Sequence, residues 1–316
     1  MPAQIEVQNL RKTYGETVAV ADISFSVAEG EIFGVIGPNG AGKTTAVECI
    51  MGLRQPDAGR IQVLGLDPQR DRDRVIPRIG IQLQESSLAQ RIKVWEALDL
   101  FSSFYEHTIP WEPLLEAWGL ADKRNTLFGK LSGGQKQRLF IVLALVNDPE
   151  VVFLDELTSG LDPQARREAW EAIKAIREQG KTVVLVTHFM DEAEYLCDRI
   201  AIIDQGRVIA LDTPQGLIQS LDGEQRILFD APAGFPVELM RSIPQVTKVE
   251  NNGFSGEVRG RGQGFVAAVV MALENRHIPY KNLRTQQPDL EDVFLSLTGR
   301  ELGNDQQPTH GRRQMT

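Results

Sequence analysis

A chain of 316 residues, 42% of them apolar, has room for about two domains with sizeable cores. Its net charge of −9 argues against a general nucleic-acid binder, though not against a local basic patch. No apolar run approaches the length of a membrane span, and the first residues lack the basic and apolar regions of a signal peptide. The chain is therefore expected to be soluble alone and to reach a membrane only through a partner. Cys49 and Cys197 show neither metal spacing nor a pairing pattern, and are expected as reduced thiols in or near the core of a cytoplasmic protein.

Partial alternation predicts strands over 5–14 and 18–27. Tyr14 closes the first, placed either to stack on a base or simply to pack the strand end. The apolar run Ile32, Phe33, Val35 and Ile36 predicts a buried strand, and 44–51 a helix. Between them lies Gly37-Pro38-Asn39-Gly40-Ala41-Gly42-Lys43-Thr44-Thr45, which fits the phosphate-loop pattern G-x-x-x-x-G-K-S/T. Its glycines let the backbone wrap an anion where a Cβ would collide. Successive N–H groups and the start of the helix then point at phosphate. Lys43 adds a mobile cation, and the Thr44 hydroxyl is a hard oxygen ligand for Mg2+.

Strands are predicted over 60–64 and 79–84, then a helix over 93–105 with Val94, Leu98, Phe101 and Phe104 on its inner face. A further helix covers 111–118. These segments, as far as Pro149, read as a helical insert between two halves of a nucleotide-binding sheet. Leu131-Ser132-Gly133-Gly134-Gln135-Lys136-Gln137-Arg138 opens the next helix, with Ser132 as N-cap. The glycines leave its first N–H groups uncovered, a second anion cradle or else a plainly capped helix. Val151 to Leu154 is a buried strand ending in Asp155 and Glu156. At the carboxyl edge of a sheet, Asp155 can hold Mg2+ and Glu156 can activate a water. Asp162-Pro163 starts a helix that ends at Gly180. The strand 182–186 leads to His188, which alone would count for little. The runs 199–203 and 207–211 form a hairpin. From about Asp222 the order is β-α-β-β-α-β, as in a ferredoxin-like unit, with a hairpin at Asn251-Asn252-Gly253. A last helix covers 290–297, and the polar tail from Glu301 is expected to be disordered.

Together these residues resemble the ATP-binding subunit of ABC transporters over roughly residues 4–220. The phosphate loop, Gln84, the 131–138 signature, Asp155-Glu156, Ser159-Gly160-Leu161-Asp162 and His188 stand in that family's order. The LSGGQ signature followed by a basic helix is the discriminating piece. The resemblance implies an α/β fold: a P-loop core with an antiparallel β subdomain and a helical insert at about 86–150. A small C-terminal α+β domain would span 221–300. It implies that Tyr14 stacks on adenine, that residues 37–45 hold the phosphates of ATP, and that Thr44 and Asp155 support Mg2+. Gln84 would contact the metal or the attacking water and relay the nucleotide state to a membrane partner. Glu156 would be the catalytic base and His188 would polarise the γ-phosphate. Ser132, Gly133, Gly134 and Gln135 would bind the γ-phosphate of ATP held by the opposite subunit, and Asp162 would cross the dimer interface. Leu157 stands where the family usually has proline, a departure expected to loosen the turn without abolishing hydrolysis.

The stretch from Pro288 to Gly299 resembles the ending of ATPases that serve drug, antibiotic or lipid exporters of the daunorubicin-resistance type. The expected protein is thus the ATPase subunit of an exporter. It would pair head to tail with a second ATP-binding subunit and work with integral membrane permease subunits, peripheral on the cytoplasmic face. A soluble ABC ATPase acting on ribosomes or DNA is the alternative. It is disfavoured by the single ATP module, the absence of long inserts and the acidic balance. A module that holds ATP without turnover is disfavoured by the presence of Glu156 and His188.

Overall fold

The apolar runs of the sequence become strands of one sheet, and their burial patterns separate its two parts. In the antiparallel part, β1 (Ala3–Tyr14) pairs with β2 (Thr17–Ala28) and, on its other side, with β4 (Ala58–Val63). Ile5 and Val7 of β1, and Ile23, Phe25 and Val27 of β2, alternate with more exposed residues, as strands with one covered face do. In the parallel part, β3 (Ile32–Ile36), β6 (Val151–Asp155) and β7 (Thr182–Thr187) are buried at every position. Strands buried on both faces are the rule for parallel sheets flanked by helices. β3 lies between β7 and β8 (Arg199–Asp204), and β6 lies between β7 and β5 (Ile79–Gln82). A hairpin carries β8 into antiparallel β9 (Arg207–Asp212), which touches β2 and joins the two parts. The order is β4-β1-β2-β9-β8-β3-β7-β6-β5.

This computed structural model describes residues 3–83, 86–221, 225–231, 235–262 and 264–299. It divides into two compact units, one ending at Pro214 and the other beginning at Gln215. In the first, α1 (Lys43–Ile50) follows β3, and a single turn, α2 (Arg72–Val75), precedes β5. Three helices, α3 (Val94–Ser102), α4 (Trp111–Ala117) and α5 (Gly133–Leu145), lie between β5 and β6 as the expected insert. After β6 come α6 (Pro163–Glu178) and, beyond β7, α7 (Met190–Leu196). Phe104 departs from expectation. Helix α3 ends at Ser102, so Phe104 falls out of helical phase and is 67% exposed, while Val94, Ala97 and Leu98 are buried. Gln84 lies outside the described residues, as does the tail from Glu301.

A short helix, α8 (Pro214–Ser220), opens the way to the second unit. There β10 (Gln225–Asp230), α9 (Val237–Arg241), β11 (Val246–Asn251), β12 (Ser255–Gly260), α10 (Phe265–Asn275) and β13 (Lys281–Gln286) follow the expected β-α-β-β-α-β order. Its sheet is β11-β12-β10-β13, antiparallel throughout. Phe229, Met240, Val258, Phe265 and Val269 fill its core, and α11 (Leu290–Thr298) follows.

Both cysteines are free and buried. Burial pushes the Cys49 thiol up to about 11 and raises Cys197 well above the ordinary thiol range, so neither is a reactive thiolate at neutral pH. Among the described residues, no helix is long and apolar enough to cross a membrane.

Candidate active site at the ends of the parallel strands

Strand register assembles the site. Ile36 lies opposite Thr187, and Asp155 opposite Val186, so the carboxyl ends of β3, β6 and β7 share one edge. The loops that leave them carry the phosphate loop, Glu156 and His188. Ligands of open α/β sheets bind at such an edge.

The phosphate loop is held by main chain. Gly37 has φ 152° and Gly42 φ 98°. A Cβ on Gly37 would sit 2.1 Å from the Ile203 carbonyl oxygen, and one on Gly42 2.2 Å from that of Ala19. The loop thus rests directly on the backbone of β8 and β2, and only glycine permits it. Helix α1 starts without a side-chain cap, which leaves its first N–H groups available to an anion. Lys43 is buried, and its Nζ donates to the carbonyls of Gly37 (2.8 Å) and Pro38 (3.0 Å). Burial lowers its pKa, while Glu156 and Asp155 act against that shift.

Asp155 closes β6 at 2% exposure. Its Oδ1 is buried without a hydrogen-bond partner. Burial first, then the neighbouring Glu156, pushes its carboxyl up to about 6; Lys43 and a hydrogen bond with the Thr44 side chain oppose the rise. An acid raised this way, with an orphaned oxygen beside a hydroxyl, has the donor chemistry of a divalent-cation site. No cluster of three His, Cys, Asp or Glu residues suited to a metal exists among the described residues. An ion held by Thr44 and Asp155 would complete its shell with phosphate oxygens and water, as Mg2+ does in nucleotide sites.

Glu156 turns the chain with φ 47°, its N–H donating to the Val186 carbonyl at 2.9 Å. Its Oε1 stands 3.2 Å from His188 Nδ1, and the Ser159 hydroxyl donates to Oε2 at 3.4 Å. The imidazole stacks on Phe189 at 4.1 Å, and the Arg166 guanidinium lies 4.3 Å from the Phe189 ring. Leu157 is tied down despite replacing the family's usual proline. Its side chain is fully buried, and its carbonyl accepts from Gln137 Nε2 on α5. Asp162 caps α6, accepting from Gln164 and Ala165 N–H at 3.0 Å each. Tyr14 is 41% exposed, with Lys12 and Arg54 5.6 and 5.2 Å from its ring.

The signature lies apart from this group. Ser132 and Gln135 form a capping box: Gln135 N–H donates to Ser132 Oγ (3.3 Å) and Ser132 N–H to Gln135 Oε1 (3.0 Å). A Cβ on Gly133 would meet nothing within 4 Å. Gly133 and Gln137 share a hollow of about 290 Å³ with Ser159, Gly160 and Leu161. No residue of the phosphate loop lines it, nor do Asp155, Glu156 or His188. The structure thus gathers Lys43, Thr44, Asp155, Glu156 and His188, while the hollow beside Gly133 meets this group only through Ser159, whose hydroxyl reaches Glu156.

Sequence reading missed Glu192, which is fully buried on α7 four residues after His188. The signal was there: Met190, Ala193 and Leu196 recur at helical spacing, with an acid among them.

The sequence pattern of the ABC transporter family matches residues 20–159. A protein of Rhizobium sp. (strain N33), named Nod factor export ATP-binding protein I, is 40% identical over 307 residues, covering 94% of this chain and 98% of its own length. The chain belongs to the ATP-binding subunits of ABC transporters. A Paraburkholderia xenovorans protein of the same name is 41% identical to this ABC ATPase over 313 residues, covering 95% of it and 98% of the relative. A solved ATP-binding subunit of an ABC transporter shares 28% identity at TM-score 0.63, covering 69% of this chain and 92% of its own. A dimeric bacterial ABC transporter cassette shares 29% identity at TM-score 0.59, covering 66% and 98%. This ABC ATPase binds and hydrolyses ATP as the energising subunit of an exporter. Those two relatives are named for the export of Nod factor, not of a drug or antibiotic.

Proposed function

We propose that this ABC ATPase works as a head-to-tail pair with a second ATP-binding subunit, most simply its own copy, peripheral on the cytoplasmic face of a membrane and docked on integral permease subunits. The observation that carries this reading is that the two cradles line no common hollow. The signature shares its hollow with residues 159–161 and with none of the residues that surround Lys43. A nucleotide on the phosphate loop then lacks a second wall until a partner supplies Ser132, the amides of Gly133 and Gly134, and Gln135 from the capping box that joins it to Ser132. A solved bacterial ABC transporter cassette that this fold resembles is dimeric, which supports pairing.

Within one half-site, Tyr14 stacks on adenine. Lys43 exchanges its loop carbonyls for β- and γ-phosphate oxygens as ATP enters. Mg2+ on Thr44 and Asp155 would neutralise charge on the phosphates during transfer. Glu156 accepts a proton from the attacking water, and His188, 3.2 Å away, steadies that carboxylate and polarises the γ-phosphate. Gln84 senses the state of the site for the membrane partner. Loss of the γ-phosphate removes the bond between subunits and opens the pair.

Phosphate release with Mg2+ and ATP tests the assignment. Glu156→Gln is expected to bind ATP normally and to lose at least about a hundredfold in turnover. Wild-type turnover in that variant would overturn it.

A further inference from the structure

We propose that Glu192 is a positioning residue that locks the His188 strand end to the 157–162 segment, so that the hydrolytic pair and the segment expected to meet the partner subunit move as one body. The inference rests on reading Glu156 and His188 as the water-activating pair.

Glu192 is fully buried on α7, four residues after His188. Its Oε1 accepts from Trp170 Nε1 on α6 at 3.0 Å. The hydroxyls of Thr187 and Thr158 lie beside the same carboxyl. Thr187 ends β7 immediately before His188. Thr158 follows Glu156 by two residues and precedes Ser159, whose hydroxyl reaches Glu156 Oε2. Helix α6, which carries Trp170, is capped by Asp162. One carboxyl therefore touches the element before the histidine, the turn after the glutamate and the helix that the segment opens into.

Burial of such a group is a cost that an apolar side chain of similar volume would avoid. A polar group in that position specifies geometry rather than stability. Burial raises the Glu192 pKa, which favours the neutral acid. The Thr187, Thr158 and Trp170 side chains oppose that rise from beside the carboxyl, and Thr158 Oγ1 and Glu192 Oε2 are both buried without a hydrogen bond of good geometry. A displacement of the 157–162 segment is therefore passed through this carboxyl to Thr187 and His188.

Steady-state hydrolysis by the full-length chain tests this, with Glu192→Leu, Glu192→Gln, Thr158→Val and the Leu/Val double variant beside wild type. Glu192→Leu and Thr158→Val are each expected to lower kcat about tenfold, with KM for ATP within about twofold and unchanged ATP-binding stoichiometry. The double variant falls no further than the worse single one. Glu192→Gln, which keeps an acceptor and gains a donor, recovers kcat to within about threefold of wild type. Wild-type kcat in Thr158→Val, losses that multiply, or a fall in kcat matched by lost ATP-binding sites would each overturn the proposal. Thr158→Val and Glu192→Gln carry the test should Glu192→Leu fail to fold. Glu156→Gln, run in parallel, separates two failures. An active Glu156→Gln sinks the underlying site, whereas a dead one beside an active Thr158→Val sinks only the role of Glu192.

Discussion

The molecule offers two helix starts to anions, and they are built differently. The phosphate loop is wedged against the backbone: Gly37 and Gly42 approach carbonyl oxygens of Ile203 and Ala19 so closely that no Cβ fits. Its lysine is buried, and its acids crowd behind it. The signature start is exposed and closed by its own capping box, with open space around Gly133. The first is a rigid seat that one chain completes. The second is exposed and capped from within its own helix, which suits the proposed role of a wall for another protomer's nucleotide.

Substituting glycine at each place sharpens that contrast. Gly37→Ala meets a backbone oxygen at 2.1 Å and a φ that alanine resists, and is expected to destabilise the chain by more than about 4 kcal/mol, read by denaturant melts. A mild effect would mean that the loop is looser than its packing implies. Asp155→Asn should have the next largest effect, and of opposite sign. The Asp155 pKa is about 6 folded, against 3.8 for the free side chain. The folded chain therefore keeps a proton that the unfolded chain loses, and this contribution to stability fades as pH rises from about 4 through 6. Without nucleotide or Mg2+, Asp155→Asn is expected to be more stable than wild type by roughly 3 kcal/mol at pH 7, with the gap closing toward pH 4. A gap independent of pH would show that Asp155 is not a strained acid awaiting a cation. Gly133→Ala is expected to change stability by less than about 0.5 kcal/mol and to leave ATP binding intact, because its Cβ meets nothing. Its cost should appear only in hydrolysis, which needs the second wall.

The features legible in the sequence are those whose meaning is local. The phosphate loop, the Asp155-Glu156 strand end and the Asn251-Asn252-Gly253 hairpin each carry their chemistry within a few residues, and each appears where expected. The capping box was readable in the same way, from Ser132 and Gln135 three residues apart. What escaped depends on residues distant in the chain. Gln137 bonds to the Leu157 carbonyl, 20 positions away, a tie on that turn that local sequence does not announce. Glu192 acquires its neighbours only when α6, β7 and the 157–162 segment pack around α7. Phe104 was misplaced because its apolar spacing continues past the helix end at Ser102.

The central claim is that each nucleotide is enclosed by two protomers, and sedimentation of Glu156→Gln with Mg2+ and ATP tests it most directly. The account predicts a species of twice the chain's mass that returns to monomer when Ser132→Arg is added to the same chain. A Glu156→Gln protein that binds ATP yet remains strictly monomeric, both in solution and in its membrane assembly, would contradict it.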